Sequence, residues 1–138
     1  MRRVAEQGTC PCGGGTYAEC CEPFHAGHTE APTAEALMRS RYSAFARGLG
    51  DYLWRTWHPR TRPEHVTLGD TVWTGLEVLD VVDGTERDQD GIVAFVAHYR
   101  DGRRRGELRE RSRFERRGRR WMYVDGEHSS NHGGLPHA

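Results

Sequence analysis

At 138 residues the chain fits one domain with a small appendage and is long enough to bury a real core. Basic and acidic residues number 20 each, so the formal charge is zero and bulk charge announces neither a nucleic-acid nor an anionic-membrane partner. No apolar run approaches the roughly 20 residues needed to span a bilayer, and a soluble, cytoplasmic protein is expected.

Residues 1–9 are short, polar and read as an arm, with no apolar signal segment before the first cysteine. All four cysteines, Cys10, Cys12, Cys20 and Cys21, then fall within one short stretch. Two disulfides or reduced surface thiols would satisfy that pattern. A reducing compartment makes metal the better explanation. A Cys-x-Cys pair and a Cys-Cys pair supply the four ligands of a closed tetrahedral zinc site, with no open position for water or substrate. Gly13, Gly14 and Gly15 allow the chain to fold sharply around an ion. His25 and His28 follow closely, so either could replace Cys21 as a ligand.

Beyond the linker at 28–32, Thr33 is a candidate N-cap, Glu35 falls in the first turn and Gly48 sits at the expected stop. Leu37, Met38, Arg41, Tyr42 and Phe45 recur at helical spacing and define one face, while Arg39 points away. Gly50 and Asp51 open a second, short helix through Trp57, ended by Pro59 and Pro63. Leu76–Val82 then reads as the first strand. Residues 92–99 are apolar on both faces, as in a central strand. Strands at 107–115 and 121–124 follow, separated by turns at Asp101-Gly102 and Gly118. Two helices and then an antiparallel meander make an α+β pattern.

Alternation assigns an inside face. With Phe114 in the core, Leu108, Glu110 and Ser112 share its side, and Arg109, Arg111 and Arg113 point out. Arg41 and Glu110 are then charges on core-facing surfaces, and each needs a partner; the expectation is that they meet. Asp80 lies in phase with Leu76, Val78 and Val82, His98 lies with Ile92, Ala94 and Val96, and His58 closes the second helix. Arg41, His58, Asp80, His98 and Glu110 are thus the cavity candidates. One reading makes Glu110 or Asp80 a desolvated base; the other makes Arg41–Glu110 a structural ion pair. His128, His132 and His137 read as residues of a solvated tail.

All 20 basic residues are arginine. The substitution is global, so it reads as compositional bias rather than as a phosphate-binding surface. Arg103-Arg104-Arg105 and the group Arg116, Arg117, Arg119, Arg120 lie at opposite ends of one strand, roughly 30–40 Å apart, and make no single RNA-binding patch.

The run Cys10-Pro11-Cys12-Gly13-Gly14-Gly15, then Tyr17, Cys20 and Cys21, resembles the SEC-C zinc knuckle. It is followed by Glu22-Pro23-Phe24-His25, Ala36-Leu37-Met38-Arg39-Ser40-Arg41-Tyr42-Ser43-Ala44-Phe45, Asp51-Tyr52-Leu53, Thr56-Trp57-His58-Pro59, Glu110-Arg111-Ser112-Arg113-Phe114 and Trp121-x-Tyr123-x-Asp125-Gly126. That ordered series is similar to the bacterial YchJ family. The resemblance implies a zinc knuckle (1–28), a cone like that of nuclear transport factor 2 (29–126) with a curved antiparallel sheet on a long helix, and a disordered tail (127–138). It implies no particular reaction. This knuckle carries no basic residue between its cysteine pairs, so it cannot dock on an acidic partner as a lysine-rich knuckle can. Two functions are expected from this: a structural-zinc module binding a protein or RNA, with a homodimer through the sheet as a further partner, or a cavity enzyme acting on a small apolar substrate by acid/base chemistry.

Overall fold

A computed structural model describes residues 8–130. The expected arm at 1–7 and the tail beyond 130 lie outside the described residues. A 3-10 turn at Tyr17–Glu19 leads to three helices, α1 (Glu22–His25), α2 (Ala34–Arg47) and α3 (Gly50–Arg55). Four strands follow: β1 (Val72–Asp83), β2 (Asp90–Asp101), β3 (Arg104–Arg117) and β4 (Arg120–Ser130). They form one antiparallel sheet in the order β1-β2-β3-β4. The expected α+β, NTF2-like arrangement is what the chain adopts.

The long helix α2 begins and ends where local chemistry dictates. Thr33 is extended and its side chain accepts from the Ala36 amide at 3.0 Å. Gly48 takes a left-handed φ of 76°, a conformation that costs it no Cβ clash, and its amide closes the last turn. Between the caps, Leu37, Met38, Arg41 and Tyr42 are buried as the helical period demands. Ser40, Ser43 and Ala44 are buried too. The helix is therefore covered on two sides, by the sheet and by the N-terminal segment with α3. Small residues on the second side permit that close approach.

The sheet is not evenly pleated. Register shifts fall between Trp73 and Gly75 and between Val78 and Asp80 in β1, and at Arg113/Phe114 where β3 meets β4. Each inserts a residue and reverses the alternation beyond it. In β2 the parity runs unbroken: Val93, Ala97 and Tyr99 are buried on the inner face and Phe95 is partly buried beside them. The inner face is completed by Leu108, Ser112 and Phe114. Tyr99 lies across Gly106, its partner in β3, where any side chain would collide with the phenol ring.

The expected tail is corrected at its start. Residues 127–130 continue β4 and pair with β3 as far as Leu108↔Ser130. Their polar composition hid a strand whose ladder is made by main-chain groups that composition does not report. No helix among the described residues is long and apolar enough to cross a membrane.

Candidate metal centre and cavity

The cysteine stretch folds back on itself through Gly13 and Gly15, at φ of 85° and 122°. The Cys10 amide donates to Gly15 O at 2.7 Å, closing the loop. The 3-10 turn then returns Cys20 and Cys21 to the same place. All four Sγ atoms lie within 4.8 Å of one another. Separations of 3.6 Å (Cys10–Cys12), 3.5 Å (Cys12–Cys20), 3.8 Å (Cys12–Cys21) and 3.9 Å (Cys20–Cys21) are far beyond a disulfide bond. All four cysteines are free thiols. A Cβ on Gly14 would stand 2.9 Å from Cys20 Sγ and 3.3 Å from Cys12 Sγ, so the loop is glycine where it cradles the sulfurs.

Four sulfurs this close cannot all carry charge unless a cation sits among them. Hydrogen bonding with Cys12 and Cys21 holds the Cys10 thiol far below the ordinary range. The same bonding raises Cys21, and burial pushes Cys20 up to about 12. The donor set and its spacing fit a metal ion.

The cluster belongs to the core of the domain. Cys10, Cys12 and Cys21 pack with Tyr42 of α2 and with Ala97 and Tyr99 of β2. Ser43 Oγ lies 3.3 Å from both Cys10 Sγ and Cys21 Sγ and donates to the latter. Arg39, expected to point away, donates to Cys12 O at 3.1 Å and to Glu35 at 3.0 Å, tying the loop to α2. His25 is not a ligand: Nδ1 accepts from the Tyr17 hydroxyl at 2.7 Å and Nε2 donates to Ser40 O at 2.8 Å. Burial keeps its pKa below the usual value, in keeping with that neutral tautomer. His28 is exposed and stands outside the cluster.

Between α2 and the inner sheet lies a cavity of about 90 Å³. Its walls are largely aromatic, from Tyr42, Phe45, Trp73, Phe95 and Phe114, and its polar groups come from Arg41, Glu110, Ser112, Tyr123 and His128. Arg41 is 6% exposed and donates from Nη1 to Leu53 O at 2.9 Å and to Thr56 Oγ1 at 2.7 Å. Its guanidinium lies over the rings of Tyr123, 4.5 Å away, and Trp57, 5.3 Å away. Glu110 Oε2 accepts from Ser112 Oγ at 2.6 Å and from Tyr123 OH at 3.2 Å. Burial foremost, then the charge of Glu110, raises the Tyr123 hydroxyl above its ordinary value.

Both Arg41 and Glu110 therefore reach the cavity, but they form no ion pair among the described residues. Tyr123 touches each of them instead. Three other candidates stand outside. Asp80 lies on the outer face 3.7 Å from Arg111, because the extra residue Leu79 reverses its side relative to Val78. His98 also faces outward, 3.4 Å from Glu77 and 3.9 Å from Glu107, since the inner face belongs to Phe95, Ala97 and Tyr99. His58 gives its amide to Tyr123 O, while its ring turns to Arg60 and Glu115. Sequence reasoning missed Tyr123 as a site residue and placed His128 in a tail. His128 is opposite Glu110 in the ladder, a relation set by the register of β4.

A family model described as "YchJ, middle NTF2-like domain" matches residues 33–126. A UPF0225 protein of Streptomyces coelicolor is 55% identical over 120 residues, covering 86% of this chain and 94% of its own length. A UPF0225 protein of Deinococcus radiodurans is 48% identical over 120 residues, covering 84% and 86%. The solution structure of a SEC-C motif containing protein from Rhodopseudomonas palustris superposes with a TM-score of 0.74 at 34% identity, covering 86% of this chain and 97% of that one. A crystal structure of a SEC-C motif containing protein from Psychrobacter arcticus gives 0.69 at 27% identity, covering 85% and 80%. With an NTF2-like cone built on these residues and a four-cysteine cluster set into its core, the chain belongs to the YchJ family of UPF0225 proteins.

Proposed function

We propose that this protein is a non-catalytic binding module stapled by one structural zinc ion. The observation that carries the reading is that the sulfurs share their core with α2 and β2, so an ion there ties the N-terminal loop to the cone. Zinc–sulfur bonds of about 2.3 Å in a tetrahedron give sulfur–sulfur edges of about 3.8 Å. Four of the six sulfur–sulfur separations, at 3.5–3.9 Å, match that edge, and all six fall within 4.8 Å. Zinc held by four thiolates supplies folding energy and presents no open position to a substrate. Ser43 steadies the sulfurs with its hydroxyl.

Binding is favoured over turnover by the state of the two cavity charges. Glu110 is held by Ser112 and Tyr123, and Arg41 is anchored to Leu53 and Thr56, so neither stands as a free acid or base. Protein is favoured over RNA as the outer partner because the three central arginines on the outer face of β3 are matched by carboxylates. Arg109 lies 3.5 Å from Glu107, Arg111 3.7 Å from Asp80 and Arg113 2.7 Å from Asp125.

Metal analysis of protein purified under reducing conditions, without added zinc, should find one zinc per chain. Cys12→Ser should release it and lower the melting temperature. A metal-free protein that melts at the same temperature would defeat the staple. Retention of a single-stranded RNA oligonucleotide at physiological salt would defeat the preference for protein.

A further inference from the structure

Arg41 is buried, yet its hydrogen bonds use one nitrogen only. Nη1 spends both its hydrogens on Leu53 O and Thr56 Oγ1. Nε and Nη2 have no acceptor among the described residues. Arg41 is not fully enclosed, since 6% of its surface stays exposed and it lines a cavity. The space that Arg41 lines is the aromatic cavity. A guanidinium clamped through Nη1 presents its Nε–Nη2 edge in a fixed orientation, and that edge matches the two oxygens of a carboxylate. We propose that the cone binds a small carboxylate with an apolar body, its oxygens on the Nε–Nη2 edge of Arg41 and its hydrocarbon among Tyr42, Phe95 and Phe114.

This deepens the binding reading and rests on it. The cavity's formal charges cancel, Arg41 against Glu110, so a monoanion enters a neutral chamber rather than a negative one. Glu110 makes no ion pair with Arg41 among the described residues, and its Oε2 is turned to Ser112 and Tyr123. At about 90 Å³ the chamber is well below the ~300 Å³ of drug-sized pockets, which restricts the body to a few carbons. The ring faces and Met38 offer that body nothing polar, so recognition of the head falls to Arg41.

The test titrates the full-length, zinc-replete protein with sodium isobutyrate at constant ionic strength, followed by two-dimensional amide NMR. Isobutyramide (the same shape without charge) and isobutylamine run beside it. Saturable one-to-one binding of isobutyrate is expected, with shifts at Ala97, Ser112 and Tyr123 and at least tenfold weaker binding of the amide. Ala97→Phe, which fills the chamber and leaves Arg41 in place, should abolish binding; Arg41→Lys, which keeps the charge and loses the fork, should weaken it at least fivefold. Equal affinity for acid and amide would overturn the proposal. So would preference for the amine, an unaffected Ala97→Phe protein, or no saturation by 50 mM isobutyrate. Should Ala97→Phe fail to retain zinc, the acid–amide comparison on the unaltered chain decides alone. Failure of the titration in a zinc-replete sample refutes the ligand and leaves the zinc staple standing, since metal analysis reads that separately.

Discussion

Replacing Arg41 by methionine tests how the cone tolerates a buried charge with no ionic partner. The substitution removes two hydrogen bonds from a charged donor, at 2.9 Å and 2.7 Å, each worth about 1.5–3 kcal/mol. It also removes two guanidinium–ring contacts, with Tyr123 and Trp57, worth about 0.5–2 kcal/mol each. Against these stands relief from burying the charge, several kcal/mol for an ion taken out of water. That cost is visible in the group itself, since burial draws the Arg41 pKa down to about 10. The opposing contributions leave an expected net loss of about 2–4 kcal/mol. Part of it arises because Leu53 O keeps only the long 3.4 Å contact from Thr56 Oγ1. Urea denaturation of zinc-saturated protein measures the loss, and Glu110→Gln completes a double-mutant cycle. Because Tyr123 bridges the two residues and no ion pair joins them, the coupling energy should stay below about 1 kcal/mol. A coupling of about 3–5 kcal/mol, the scale of a broken buried ion pair, would refute the reasoning, as would an Arg41→Met loss under about 1 kcal/mol.

Gly14→Ala places a Cβ 2.9 Å from Cys20 Sγ and should weaken metal retention in a chelator competition while leaving the cone's NMR fingerprint intact. Burial depresses the pKa of His25, so the unfolded chain binds the extra proton first; stability from this group is full above about pH 6.5 and falls as pH drops below that. An NMR titration of the His25 ring should find its midpoint below that of free histidine, and a midpoint at or above about 6.5 would contradict its burial between Tyr17 and Ser40. Asp125 is held below the usual carboxylate range by its hydrogen bonds to Arg113, so its contribution is present above about pH 4 and lost as pH falls through the lowered value. Arg113→Ala should restore the ordinary Asp125 titration midpoint with little change in melting temperature, because the pair is half exposed.

Local chemistry carried much of this molecule into its sequence. Thr33 and Gly48 bound α2 because a hydroxyl that accepts an amide and a residue without Cβ act at the position where they stand. The four-cysteine cluster was equally legible: thiols gathered in one loop need no distant partner to meet. The inward face of β3 followed from period-two alternation alone, which placed Glu110, Ser112 and Phe114 together.

What the linear chain could not decide was anything that depends on register between strands. One inserted residue at Leu79 turned Asp80 from the cavity to the outer surface, and a bulge is a property of a strand pair, invisible in either strand alone. In β2 both faces are apolar, so alternation could not choose which of them receives α2, and His98 fell on the other. The pairing of β4 with β3 brought His128 opposite Glu110 and set Tyr123 between Arg41 and Glu110. Residue types determined that a buried arginine and a half-buried glutamate would each require partners. Alternation set Ser112 beside Glu110, but only the tertiary structure decided that the other partners are the Leu53 carbonyl, the Thr56 hydroxyl and a shared tyrosine, because those contacts are fixed by distances between segments well separated in sequence.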